Sequence, residues 1–181
     1  RIAANFKNQW QSIPVPYTTF TGSYDQKFYS PDNDNGFWSG GVLFNYDRAG
    51  DSKLSLAQLG LSGSYSFLLN EKNILTLGLQ AGVSNRSFDK NDDLRWDAQW
   101  NGVMYDPSRP DGESFDQESI FYFDASTGIN YRWQKDERTH IDLGSGVAHL
   151  TQPDHTFYDE GEEDLKMRIS PYVMSSFQVA D

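Results

Sequence analysis

Carboxylates are the residues best equipped for chemistry in this sequence, and they gather in two stretches. Asp89, Asn91, Asp92, Asp93, Asp97, Asp106, Asp111 and Glu113 crowd one polar segment, and Asp159-Glu160-Gly161-Glu162-Glu163-Asp164 forms a second. Hard cations such as Ca2+ want several oxygen ligands, but the spacing here does not fit an EF-hand loop. Solvated acidic loops are the simpler reading of both stretches. Paired acids also serve glycosidases, where Asp97, Asp106 or Glu118 would be the groups to test, yet almost any acid-rich β protein offers such pairs. His140, His149 and His155 form no HxH or HxxxH metal pair, and no nucleophile elbow or P-loop is present. With no cysteine, disulfides and thiolate metal sites are excluded. No cofactor and no metal are expected, and the chain reads as non-enzymatic.

The net charge of −11, from 26 acids against 15 bases, argues against nucleic acid as a partner, because phosphate binding needs surplus Lys and Arg. No run of about 18 apolar residues exists, so a transmembrane helix is excluded. A closed barrel of amphipathic strands remains open, since each strand gives only a weak hydropathy signal. Aromatics at 15% and a mean hydropathy of −0.68 suit residues that alternate between two environments. No signal-peptide pattern is visible, and both ends read as strand, so the chain is expected to be an internal piece of a longer protein or a trimmed mature chain.

The elements that must position these loops are strands. Period-2 alternation recurs at about 2–10, 17–28, 37–47, 53–68, 74–88, 119–133, 139–150 and 165–180. The fifth segment is the clearest: Leu75, Leu77, Leu79, Ala81 and Val83 face one way, and Thr76, Gly78, Gln80, Gly82 and Ser84 the other. In the sixth, Phe121, Phe123, Ala125, Ile129, Tyr131 and Trp133 oppose Asp124, Ser126, Asn130 and Arg132. The second face is mostly Gly, Ser, Thr, Asn and Gln rather than charge, which suits a narrow wet lumen. Trp10, Phe28, Trp38, Tyr46, Phe67, Phe88 and Trp133 fall near strand ends, as interfacial girdles do. Both long links, about 89–118 and 151–164, have the same parity and so belong to one rim, as do the shorter links at 11–16 and 48–52. Ile13-Pro14-Val15-Pro16 is a tight link, because two prolines cannot sit in a central strand. The expected fold is therefore all-β: one antiparallel up-and-down transmembrane β-barrel domain of outer-membrane type over 1–181, part of a larger barrel. A soluble β-barrel or sandwich that binds a ligand is the alternative.

Several segments, taken in order, resemble one family. Arg1-Ile2-Ala3-Ala4-Asn5-Phe6-Lys7-Asn8-Gln9-Trp10-Gln11-Ser12-Ile13-Pro14 is similar to the start of the PorP/SprF family, and Tyr17-Thr18-Thr19-Phe20-Thr21-Gly22-Ser23-Tyr24-Asp25 to its next strand. Asp47-Arg48-Ala49-Gly50 with Leu54-Ser55 resembles a family turn, and Leu77-Gly78-Leu79-Gln80-Ala81-Gly82 a family strand. Tyr105-Asp106-Pro107, Gly112-Glu113 and His149-Leu150-Thr151-Gln152-Pro153-Asp154-His155-Thr156-Phe157 resemble later segments. Phe6 in place of the usual Tyr, and Asp154-His155-Thr156 in place of Asn-Gln-Ser, are conservative departures. The resemblance implies a barrel of the type IX secretion and gliding machinery of Bacteroidota, located in the cell outer membrane, with further segments before residue 1 and after 181. It implies support for export or surface anchoring of cargo such as adhesins. The partners implied are outer-membrane lipid, a secreted cargo protein with a C-terminal sorting domain, and lipoproteins of the machinery. No catalytic residue comes with it. Partner contact is expected on the two long links, at Asp92, Trp96, Trp100, Tyr105, Asp106, Pro153 and Phe157.

Overall fold

Alternation at every second residue puts two kinds of side chain on two faces of an extended chain, and the sheet that forms keeps them apart. In the computed structural model eight strands run β1 Ile2–Gln9, β2 Tyr17–Phe28, β3 Gly36–Ala49, β4 Leu54–Asn70, β5 Asn73–Ser87, β6 Ser119–Gln134, β7 His140–Ala148 and β8 Arg168–Ser176. The structure describes residues 1–10, 12, 16–29, 35–50, 52–89, 95–112, 115, 117–136, 138–158 and 163–178. Every strand pairs antiparallel with its chain neighbours, in the order β1 to β8, and the sheet curls into a half-barrel. Among the described residues nothing pairs with the outer edge of β1 or of β8.

The register joins like with like. Tyr24, Val42, Leu61, Ala81 and Ala125 lie side by side across β2–β6, and the next row is Asp25, Gly41, Ser62, Gln80 and Ser126. A slip of one residue in any pair would exchange the two faces. The apolar face points outward: Leu79 is 69% exposed and Phe121 67%. Among the described residues only Phe88 and Ile120 are buried hydrophobic residues, which is far too little for the core of a soluble domain. No second layer covers the sheet among the described residues, so the soluble sandwich has no support. An outward face of this size at ordinary hydrophobic cost would be untenable in water.

Strand lengths fit a membrane. The 15 residues of β5 span roughly 50 Å at about 3.3 Å each, and a tilt of about 45° brings this to roughly 35 Å of depth. That exceeds an apolar band of about 25 Å. The 9 residues of β7 and of β8 are just long enough to cross. Aromatic rings flank the aliphatic middle. Trp38 meets Tyr65 at 4.8 Å, Tyr65 meets Phe67 at 4.6 Å, and Trp10 meets Tyr17 at 4.8 Å, all edge-on.

The inner face is held by side-chain hydrogen bonds across strands. Thr21 donates to Asn45 (2.8 Å), Asn45 to Gln58 (3.3 Å) and Gln58 to Ser84 (3.2 Å), a ladder over four strands. Near the opposite rim, Asp142 of β7 is 1% exposed. It accepts from both arms of Arg132 at 2.8 and 3.0 Å and from Asn130 at 3.1 Å, while Tyr172 donates to Asn130 at 2.9 Å. Tyr172 lies over Gly144, where a Cβ would come within 2.5 Å of its ring. Small residues leave a hollow of about 350 Å3 on the inner face, bordered by Ser39, Ser62, Ser64, Gly78, Gln80 and Ser126.

The expected strands match the observed ones closely. The seventh ends at Ala148 rather than 150, because His149 leaves the extended region with φ 61°. The eighth begins at Arg168 and ends at Ser176, and the last residues of its expected span, 179 and 180, lie outside the described residues. The expected Pro14 link likewise falls largely outside them. One expectation needs correction. Phe88 is not a girdle residue: it is 8% exposed and packs inward beneath the long links. The inner face is mostly small and polar, and Leu56 and Ile120, opposite Arg86 on it, carry apolar bulk towards the rim of the long links.

Candidate docking rim

Hairpin topology fixes which links share a rim. Those after β1, β3, β5 and β7 lie together, and the last two are the long ones. They fold onto each other. Phe88, at the end of β5, meets Phe115 at 4.8 Å and Phe157 at 4.7 Å, both edge-on, and Phe115 meets Trp96 at 5.7 Å and Tyr158 at 5.1 Å. Each such pair contributes about 0.5–1.5 kcal/mol beyond its burial. Arg86 joins the cluster from β5, with its guanidinium 5.1 Å from the Phe157 ring and an N–H donated to the His155 carbonyl at 3.2 Å. The Gln117 N–H donates to the Phe157 carbonyl at 3.4 Å. Phe88 and Ile120 continue the inward parity of their strands, so this aromatic cluster sits over the luminal end of the sheet.

The first long link is a built structure. Asp97–Gln99 forms one 3₁₀ turn, begun by Trp96, whose N–H donates to the Gln99 side chain at 3.2 Å. Trp100 and Tyr105 pair antiparallel across a tight turn, where the Asn101 side chain accepts from the N–H groups of Val103 and Met104 at 2.9 Å each. Gly102 has φ 98° there, a conformation open to glycine at little cost. Arg109 donates to the Trp100 carbonyl at 2.6 Å, and buried Gln99 donates to the Arg109 carbonyl at 3.3 Å. The turn presents Trp100, Val103 and Met104 outward, and Val103 is 79% exposed. Asp106 accepts from the Ser108 hydroxyl and N–H, and this holds its carboxyl below the ordinary carboxylate value. Lys53, from the β3–β4 link, bonds Asp89 at 2.8 Å and lowers that carboxyl too, so a third link is tied into the rim.

The second long link leaves β7 through two left-handed residues that are not glycine, His149 at φ 61° and Gln152 at φ 44°. Such conformations cost on the order of 1 kcal/mol or more each and persist where neighbours enforce them. At His149 one carboxylate does so: Asp124 of β6 meets His149 Nδ1 at 2.7 Å and accepts from the Thr151 hydroxyl at 3.2 Å, and the Gln152 N–H donates to the His149 carbonyl at 3.2 Å. The Pro153 carbonyl accepts from the Leu165 N–H at 3.0 Å, closing the base of the link.

Of the residues expected at the contact surface, Trp96 and Phe157 join one cluster through Phe115 and Phe88, and Trp100 and Tyr105 form the hairpin beside it. Asp106 and Pro153 serve the shape of their loops, and Asp92 lies outside the described residues. Phe115, Arg86, Val103, Met104 and the Asp124–His149 clasp were not foreseen. Loop residues follow no period, so nothing in their spacing marks them; for Arg86 and Asp124 the signal was present, as charges on an inner face made mostly of small neutral residues. Among the described residues no three His, Asp or Glu side chains converge on a point that would suit a metal ion.

No curated protein and no solved structure matches the chain significantly. The model of one family does match it, that of the type IX secretion system membrane protein PorP/SprF, over residues 1–180. An outward apolar face, an inner polar ladder and two long links on one rim are what a membrane β-barrel of that description needs, and with all but the last residue matched the chain belongs to the PorP/SprF family.

Proposed function

We propose that this chain forms part of the wall of a larger closed barrel in the outer membrane, and that it supports export or surface anchoring of secreted cargo by docking rather than by conduction. One observation carries the reading: the long links pack into an aromatic cluster over the lumen while presenting Trp100, Val103 and Met104 outward. A rim so arranged obstructs the bore and offers an ordered apolar surface. The open edges of β1 and β8 favour further strands completing the wall, because a bare ladder edge is costly in lipid. The outward face takes lipid as its first partner. Adhesin-type cargo with a C-terminal sorting domain and lipoproteins of the machinery are the protein partners that family membership favours. The role needs no catalytic group.

The test uses the full chain in its native cell. Replacing Trp100, Val103 and Met104 together by Ser should leave the protein in the outer-membrane fraction and reduce cargo on the cell surface several-fold. Unchanged surface cargo would remove the rim from the reading. A wide, stable pore in single-channel recordings of the purified barrel would replace docking by conduction.

A further inference from the structure

The two open edges of the sheet are not equivalent. In an antiparallel pair, a residue either exchanges both backbone hydrogen bonds with the residue opposite or turns its N–H and C=O away. Pro171 stands opposite Ser145 in β8 and has no N–H to give, so that pair must be of the second kind. Register runs unbroken from Arg168 to Ser176, which fixes the rest. Ser170, Tyr172 and Met174 bond to β7, while Ile169, Pro171, Val173 and Ser175 direct their backbones at the open edge. On β1 the Asp25 N–H donates to the Arg1 carbonyl, so the odd residues bond to β2. Ile2, Ala4, Phe6 and Asn8 then direct intact N–H and C=O groups at the other edge. One edge is a complete row, and the other lacks a donor in its middle.

The gap lies within the outward apolar band, because Ile169 and Val173 on either side of Pro171 are among the most exposed side chains of the sheet. Water is scarce at that depth, and a carbonyl opposite Pro171 would find no partner there. Prolines are tolerated in sheets at edges for this reason. We propose that the wall of the barrel has a built-in lateral seam on the open side of β8, centred on Pro171, where the ladder parts before it parts anywhere else. The inference rests on the closed-barrel reading above, in which another strand covers this edge.

Amide hydrogen exchange on the full-length protein in detergent micelles tests it, with Pro171→Val as the variant that restores the donor. The inner-wall amides of Leu77 and Leu79 and the β1 edge amides of Ala4 and Phe6 serve as references. The seam predicts that the amides of Ile169 and Val173 exchange at least about tenfold faster than all four references, and that Pro171→Val slows them by a similar factor. Slow exchange at Ile169 and Val173 in the unaltered protein, with slow exchange at Ala4 and Phe6, overturns the seam and leaves the closed barrel standing. Fast exchange at both edges, unmoved by Pro171→Val, overturns the closed barrel and the seam with it. The comparison within the unaltered protein decides the matter even if the variant fails to fold.

Discussion

Replacing Asp142 by Ala strips the inner face of its most enclosed charge. Asp142 accepts two bonds from Arg132 and one from Asn130, and His140 Nε2 lies 3.7 Å away. Removing one member of a fully buried pair costs about 3–5 kcal/mol, because the other charge is left without a counter-charge. The Arg132 side chain is 34% exposed, however, and can turn towards the wet hollow, so screening reduces this to roughly 2 kcal/mol. Asn130 also loses an acceptor, adding about 0.5–1 kcal/mol. A loss of roughly 2–3 kcal/mol is expected in equilibrium urea unfolding of the full chain in micelles, followed by tryptophan fluorescence. The decisive comparison is a cycle with Arg132→Met. If the two charges act as a pair, the double variant should be no less stable than Asp142→Ala alone, giving a coupling of at least about 1 kcal/mol. Losses that simply add, or a single-variant cost under about 0.5 kcal/mol, would show that the pair is incidental to the wall.

Leu79→Arg should destabilise the protein in lipid by about 2–4 kcal/mol and the adjacent Gln80→Arg by about 1 kcal/mol or less; equal costs would mean that the two faces are misassigned. Gly36→Ala places a Cβ 2.2 Å from the Ser66 carbonyl oxygen, a backbone atom that cannot swing aside, and should cost about 1–3 kcal/mol in the same urea assay. Lys53→Met should raise the Asp89 pKa, read by carboxyl NMR, because Lys53 supplies the hydrogen bond and the larger of the two charges that depress it, the other being Arg48. A depressed folded-state pKa stabilises above the ordinary value of 3.8 and the contribution fades as pH falls below it, so exchange protection of the Asp89 amide should drop in acid in the unaltered protein and lose that acid sensitivity in the variant.

Strand positions and faces were legible because a period of two is a strong signal when it persists for a dozen residues, as in Leu75–Val83. The polar pairing of Arg132 with Asp142 was half legible. Both fall on the inner parity of neighbouring segments, and only the register, with Gln134 opposite His140, makes them direct partners. The shared rim of the long links followed from parity alone. Their mutual packing did not, since Phe88, Phe115 and Phe157 lie 27 and 42 residues apart along the chain and no local pattern relates them. Phe88 was misplaced for a related reason: an aromatic at a strand end reads the same whether it turns to the membrane surface or into the bore.

The strictly sequential order of the eight strands bears on how such a wall is made. Each of β2 to β7 is stitched only to the strands that precede and follow it in synthesis, so inside the sheet no segment waits for a distant one before its backbone is satisfied. Loop closure is cheap at each step, and each new strand adds to the border left by the one before it. Insertion into a bilayer can therefore proceed by accretion, with any assembly factor left to guard the advancing border and the standing outer edge of β1.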